Sequence, residues 1–346
     1  MRAALQVDYG DPESSIRVTD APLPQIGRGE VLLRVQGAAL NRKDLFALAN
    51  LTGPGIRPRP PLPHVNGADG WGEVARVGPD EPRWRVGDRA VVYPGLFCGA
   101  CGWCVAGRTS ACDDYGVVGE QCWGTHAEYV RVPARNLEPI PAGMTREALA
   151  CAGGSWLTAW HALVTVARLR PGETILVTGA SGGVGTAAIR IAALTGCRVI
   201  ASVGSPWKAQ RAREIGADVA VVGMDADVVR QLTQGRGVDV ALDTVGGHWW
   251  RDVIGALAPF GRMAICGATA GDGPNISIRE IYQRHRQILG APLGSRAEFS
   301  ELVRVLASGR LAPVVHATIP LERIAEGLRM MERREVFGKV ALQVAP

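Results

Sequence analysis

The chain lacks any apolar window approaching the length of a membrane-spanning helix, and its first residues, MRAALQVDYG, carry no apolar run of the kind a secretory signal needs. Membrane association and secretion are therefore not expected. It also lacks a long Lys/Arg run: a formal charge of +5 over 346 residues is too mild and too dispersed for a nucleic-acid footprint. Internal repeats and low-complexity linkers are missing as well. With 47% hydrophobic and 21% charged residues, the balance is that of a folded protein rather than a disordered one. The length exceeds what one core usually serves, so two domains are expected. Cys122, Cys151, Cys197 and Cys266 are scattered singly in apolar context, which fits a reducing cytoplasm.

The other four cysteines cluster. Cys98, Cys101, Cys104 and Cys112 follow C-x2-C-x2-C-x7-C, a spacing that folds four thiolates around one tetrahedral Zn2+ and leaves no open coordination position. Such a site is structural, one per chain. Two disulfides are the other arrangement open to four clustered thiols, and they belong in small secreted scaffolds.

Up to about residue 150 the chain is rich in Gly and Pro, with short β-branched runs such as Glu30 to Val35 and Arg89 to Tyr93, and it reads as mostly β. From about Thr158 strands alternate with helical segments, the pattern of a doubly wound parallel sheet. Strands are expected at Thr174 to Thr178, Arg198 to Val203, Val238 to Val245 and Arg262 to Gly267, with a late helix from Glu298 to Ala307 and a closing strand near Val340 to Val344.

The first of these strands runs into Gly179-Ala-Ser181-Gly182-Gly183-Val184-Gly185 and then an apolar helix, Thr186 to Leu194. Glycines between a strand and a helix permit the tight turn and let backbone amides approach a pyrophosphate at the helix N-terminus, so these residues are expected to bind a dinucleotide. An NAD site places an acidic residue at the end of the second strand. From Thr186 to Arg213 there is neither Asp nor Glu, while Ser205, Lys208 and Arg211 suit a 2'-phosphate. NADPH is the expected cofactor; Lys208 and Arg211 as a solvated helix face is the other reading.

Together with Asn41-Arg-Lys-Asp44, Gly67-Ala-Asp-Gly-Trp-Gly72, Val86-Gly-Asp-Arg89, Leu157-Thr-Ala-Trp160, Asp243-Thr-Val-Gly246 and Phe337-Gly-Lys-Val340, these motifs resemble the medium-chain dehydrogenase/reductase superfamily along nearly the whole chain. The resemblance implies an α/β protein: a GroES-like β-rich catalytic domain from residues 1–157 and 292–346 and a Rossmann domain from 158–291, with the active site in the cleft between them. It implies further that Val245 and Gly267 line the cofactor groove, that Lys339 lies near cofactor phosphate, and that the chain forms a homodimer or tetramer. The positions matching the catalytic zinc ligands of the alcohol dehydrogenases hold Asn41, Ala68 and Gly154, which cannot assemble a tetrahedral site. The pattern resembles the quinone oxidoreductase-like branch that keeps the structural zinc loop. A substitute metal set from Asp44, Asp69, His64 or His126 is the alternative.

These residues lead to an NADPH-dependent reductase that passes hydride to a quinone or an α,β-unsaturated carbonyl, a small hydrophobic substrate, without a catalytic metal. A metal-independent carbonyl or biosynthetic tailoring reductase and a non-catalytic nucleotide-binding regulator are the competing readings. The Asn41 amide is expected to donate to the oxygen that gains charge. Lys43 is either a charge stabiliser or a phosphate contact, and Asp69 either a catalytic acid or a hydrogen-bonding partner within its loop. His126 and Tyr115 are candidate proton donors or packed side chains; Trp71, Trp123 and Trp156 form either an aromatic pocket wall or core.

Overall fold

The computed structural model describes residues 1–345 except Pro54 and Pro274. The chain divides into two compact units. The first comprises Met1–Gly154, Ser295–Gly309 and the chain from Val315 onward; the second comprises Ser155–Gly294 and Arg310–Val314. The divisions thus fall three residues from the positions 157/158 and 292 expected from sequence, and the short segment Arg310–Val314 joins the second unit.

In the first unit the strand Glu30–Ala39 is the hub of a seven-stranded sheet. It pairs antiparallel with Asp69–Val77, with Tyr129–Pro133 and with the closing strand Lys339–Gln343, which in turn pairs parallel to Val315–Pro320. Arg89–Val92 and Leu137–Pro139 extend the sheet beyond Asp69–Val77. A smaller sheet joins Ile16–Asp20, Arg2–Gln6 and His64–Val65. Val31, Leu33 and Val35 bury against Val74, Val92, Val130, Val340 and Leu342. Each such side chain contributes roughly 1.5–3 kcal/mol by leaving water.

Register decides what this sheet brings together. Ala39 lies opposite Asp69 on one side and Ala341 on the other, and the Leu40 N–H donates to Val340 O at 2.9 Å. Asn41, Asp69 and Lys339, separated by up to 298 residues, therefore meet at one end of the sheet. The close approach of strands requires Gly72: a Cβ there would be driven into the Arg34 carbonyl.

The second unit is a six-stranded parallel sheet in the order Val219–Val222, Arg198–Val203, Thr174–Val177, Val238–Asp243, Leu257–Ile265, Gln287–Gly290. Numbered along the chain this order is 3-2-1-4-5-6, the Rossmann arrangement, with the strand order reversing between Thr174–Val177 and Val238–Asp243. Helices Gly183–Thr195, Pro206–Glu214, Ala226–Leu232 and Trp250–Ala256 intervene. The strands at the two edges, Val219–Val222 and Gln287–Gly290, are not among those expected from sequence. The late helix forms as Arg296–Ala307, opened by a capping box in which the Ser295 hydroxyl accepts from the Glu298 N–H and the Glu298 carboxylate from the Ser295 N–H. Among the described residues no helix is long and apolar enough to cross a membrane.

Gly72→Ala should lower stability by about 1–3 kcal/mol, read as a lower urea midpoint at unchanged m-value. An unmoved midpoint would show that the two strands part without cost.

Candidate functional site

The four clustered thiols converge. Their sulfurs all lie within 4.8 Å of one another, with Cys98–Cys104 and Cys101–Cys112 separations of 3.9 Å. A tetrahedron with metal–sulfur bonds of about 2.3 Å has edges of about 3.8 Å, so the set fits one zinc ion and no disulfide is formed. The backbone prepares it: the N–H groups of Ala100 and Cys101 point at Cys98 Sγ, at 3.4 and 3.2 Å, and hold that thiol down at about 7. All four positions are taken by protein ligands, so the site braces its loop and offers no place to a substrate.

At the end of the first unit's sheet lies a buried polar group with Asp69 at its centre. The Asp69 carboxylate, wholly withdrawn from solvent, accepts from Lys339 Nζ at 2.9 Å, from Asn41 Nδ2 at 3.1 Å and from the Gly154 N–H. The Lys339 ammonium also donates to Leu40 O and Asn41 Oδ1, both at 2.7 Å, which commits its three protons. Asp44 accepts the Asn41 N–H at 2.7 Å and so caps the helix Arg42–Leu48.

This arrangement bears on three residues singled out from sequence. Asn41 donates its amide protons to Asp69 and to Ala39 O, leaving none for a substrate oxygen. Lys339 is held within the first unit by Leu40, Asn41 and Asp69. Asp69 accepts from three donors, one of them the Lys339 ammonium, an arrangement that accounts for its carboxylate by hydrogen bonding. Lys43 lies 3.1 Å from Glu120, both half-buried, an ion pair that also accounts for it without catalysis. Among the described residues only the four cysteines converge on a metal-sized point, so Asp44, Asp69, His64 and His126 form no substitute set.

Nor do the candidate proton donors stand ready. His126 is fully buried, and burial pushes its pKa down despite Asp44 nearby, so the imidazole is neutral. Burial likewise raises Tyr115. Trp71 and Trp156 are core side chains, and Trp123 packs against Ala3, Ala21, Val65 and Ala127.

In the second unit the glycine turn has the shape a dinucleotide needs. Gly179 sits at φ +56°, and a Cβ on Gly185 would lie 2.5 Å from Ala180 Cα, so the helix Gly183–Thr195 can pack tightly on its strand only with glycine there. At Gly182 a Cβ would meet nothing nearer than Gly179 O at 3.4 Å, which leaves the approach to the helix N-terminus open. The first intrahelical bond is made by the Thr186 N–H, so the amides of Gly183, Val184 and Gly185 have no acceptor within the helix and, beside Ser181, are the expected phosphate donors. Val245 and Gly267 are brought to the same edge: Val245 Cγ2 lies 3.1 Å from where a Gly179 Cβ would be, and a Gly267 Cβ would press on Thr244 O at 2.8 Å. The second strand ends in Val203, with Ser205 at the N-cap position of the next helix; its hydroxyl makes no capping bond and is buried without a hydrogen-bond partner. Lys208 is folded down, its Nζ 5.3 Å from the Trp207 ring centroid, and Arg211 pairs with Glu214 at 2.9 Å.

Residues 27–142 match the alcohol dehydrogenase GroES-like domain and residues 183–308 the zinc-binding dehydrogenase domain. An NAD-dependent alcohol dehydrogenase of Sulfolobus acidocaldarius is 30% identical over 99% of this chain and 100% of its own. The chain belongs to the medium-chain dehydrogenase/reductase superfamily. An acryloyl-coenzyme A reductase of Sulfurisphaera tokodaii is 27% identical over 96% of this chain and 97% of its own. A crystal structure of an NAD-dependent alcohol dehydrogenase, 42% identical, matches 100% of both chains at a TM-score of 0.92. As a member of the superfamily the chain is an oxidoreductase with a GroES-like domain and a parallel-sheet Rossmann domain.

Two outcomes are expected of these sites. Cys101→Ser should lose zinc, read by a colorimetric chelator, and lower Tm by about 5 °C or more; retained zinc and an unmoved Tm would overturn the structural role. The second concerns His64 and His126, both held by burial below the ordinary 6.5. As pH falls through that value the unfolded chain binds protons that the folded chain refuses, so stability drops from about pH 7 to pH 5. His126→Gln should show a shallower fall in Tm over that range. Zinc loss in acid affects both proteins alike, so identical slopes would exclude the histidine.

Proposed function

We propose that this chain is an NADPH-dependent reductase of α,β-unsaturated carbonyls or quinones that works without a catalytic metal, in the manner of the quinone oxidoreductase-like branch. The observation that carries the reading is the buried group around Asp69. The positions matching a catalytic zinc's ligands hold Asn41, Ala68 and Gly154, and a Cβ on Gly154 would already lie 3.1 Å from Asn41 Oδ1 and from Asp69 Oδ1. A thiolate at that position has no room, and the Asp69 charge is balanced by an ammonium.

The same group has no N–H to spare and no net positive charge, since Asp69 balances its one lysine. It is therefore a poor oxyanion stabiliser. Reducing a simple ketone, or oxidising an alcohol, without a metal forgoes several kcal/mol of stabilisation on a localised alkoxide. An enolate or hydroquinone spreads its charge and needs less. A reduced nicotinamide cofactor, held at Gly182 to Gly185, would supply the hydride. The absence of an acid at Val203 and the unpartnered Ser205 hydroxyl favour a 2'-phosphate. The likeness to an acryloyl-coenzyme A reductase supports C=C as the reduced bond. The likeness to NAD-dependent alcohol dehydrogenases supports a second reading, carbonyl reduction with NADH.

The two readings part in one experiment. Purified protein is assayed with NADPH and NADH against enones, an enoyl thioester, quinones and simple aldehydes, with products identified and zinc counted. The expected result is NADPH consumption with unsaturated acceptors, C=C reduced with C=O intact, and one zinc per chain. Aldehyde reduction with NADH and two zincs per chain would replace this reading with the second.

A further inference from the structure

The second unit holds a buried carboxylate that the reading above does not use. Asp243 is the last residue of Val238–Asp243 and is wholly withdrawn from solvent. It stands beside Thr174–Val177, where the strand order reverses and where open parallel sheets bind their ligands. Its oxygens accept from the Thr178 hydroxyl, from the N–H groups of Val245 at 3.1 Å and Gly246 at 3.0 Å, and from the Trp250 indole N–H at 2.8 Å. Thr178 Oγ1 itself accepts the Thr244 N–H at 3.2 Å, which turns its proton toward Asp243.

Every group facing this side chain is therefore a donor, the environment of an ionised carboxylate. No cation pairs with it among the described residues. The contrast within the chain is sharp: Asp69 has Lys339 and Asp239 has Arg236, whereas Asp243 is held by dipoles alone. Those dipoles also fix the loop shape. The Val245 carbonyl accepts the Ala270 N–H at 2.8 Å, the Gly247 N–H donates to Gly271 O at 2.8 Å, and a Cβ on Gly273 would meet the Trp250 ring at 2.7 Å.

We infer that Asp243 is an electrostatic positioning residue: an uncompensated buried charge at the sheet's switch point that stabilises the oxidised form of the bound nicotinamide over the reduced form. The inference rests on the reading of this unit as a nicotinamide site. Loss of a hydride, one proton with two electrons, turns a neutral dihydronicotinamide ring into a pyridinium cation and delivers the hydride to the acceptor. A fixed negative charge in low dielectric favours that cation and so favours donation. Asp243 acts through its field and through the Val245 and Gly246 amides, not by touching the ring.

The test is calorimetric titration of the holo-zinc protein with NADP+, NADPH, NAD+ and NADH, without substrate. Asp243→Asn should weaken oxidised against reduced cofactor by about ten-fold, equal to about 30 mV in the bound couple. If both forms weaken equally, the carboxylate only shapes the loop and the inference is overturned. If Asp243→Asn does not fold, Trp250→Phe removes one donor and keeps the charge, and the ratio should move toward the oxidised form; an unmoved ratio overturns the inference there too. Wild-type protein that binds none of the four overturns the cofactor reading itself, whereas binding with an unchanged ratio in the variants overturns only the role of Asp243.

Discussion

A carboxylate and an ammonium, both removed from water, hold the first unit together at the point where its sheet collects residues from across the chain. Taking two charges into a protein interior costs several kcal/mol per ion, recovered only when geometry and additional hydrogen bonds are good. Here they are: Asp69 has three donors and Lys339 three acceptors. Removing either partner alone would strand a buried charge at a cost of about 3–5 kcal/mol. The pair ties the closing strand to Asp69–Val77, and through Asn41 and Gly154 it fixes two more backbone segments. In the proposed reading this pair occupies the room of a metal centre and supplies its cross-linking, but not its Lewis acidity.

The two units use buried carboxylates in opposite ways. Asp69 is neutralised and becomes scaffolding. Asp243 is solvated by four dipoles and keeps its field. The difference lies in whether a lysine can reach: the register of Lys339–Gln343 delivers one to Asp69, while the end of Val238–Asp243 has only amides, a hydroxyl and an indole to offer.

What was legible in the sequence was what is local in the sequence. The cysteines at 98, 101, 104 and 112 and the glycines from 179 to 185 each lie within one short segment whose spacing already dictates its chemistry. The parallel sheet followed from strands alternating with helices, though its edge strands Val219–Val222 and Gln287–Gly290 were not read from the sequence. The buried group around Asp69 was not legible in the same way. Its members were each singled out, but Asn41 was expected to donate to substrate and Lys339 to phosphate. Sequence gives donors and acceptors without saying which have already found each other, and a contact across 270 residues leaves no local trace. The Asp243 motif was visible too, but its lack of a cationic partner emerges only when every neighbour is placed.

One consequence concerns the chemistry that can be done to this protein from outside. The chain contains three lysines, Lys43, Lys208 and Lys339, against a surface charged by arginine. The first is paired with Glu120, the second folded onto Trp207, the third buried with Asp69. Amine-directed cross-linkers, dyes and immobilisation resins thus have almost no harmless point of attachment, and each lysine they do capture reports on the opening of a specific internal contact.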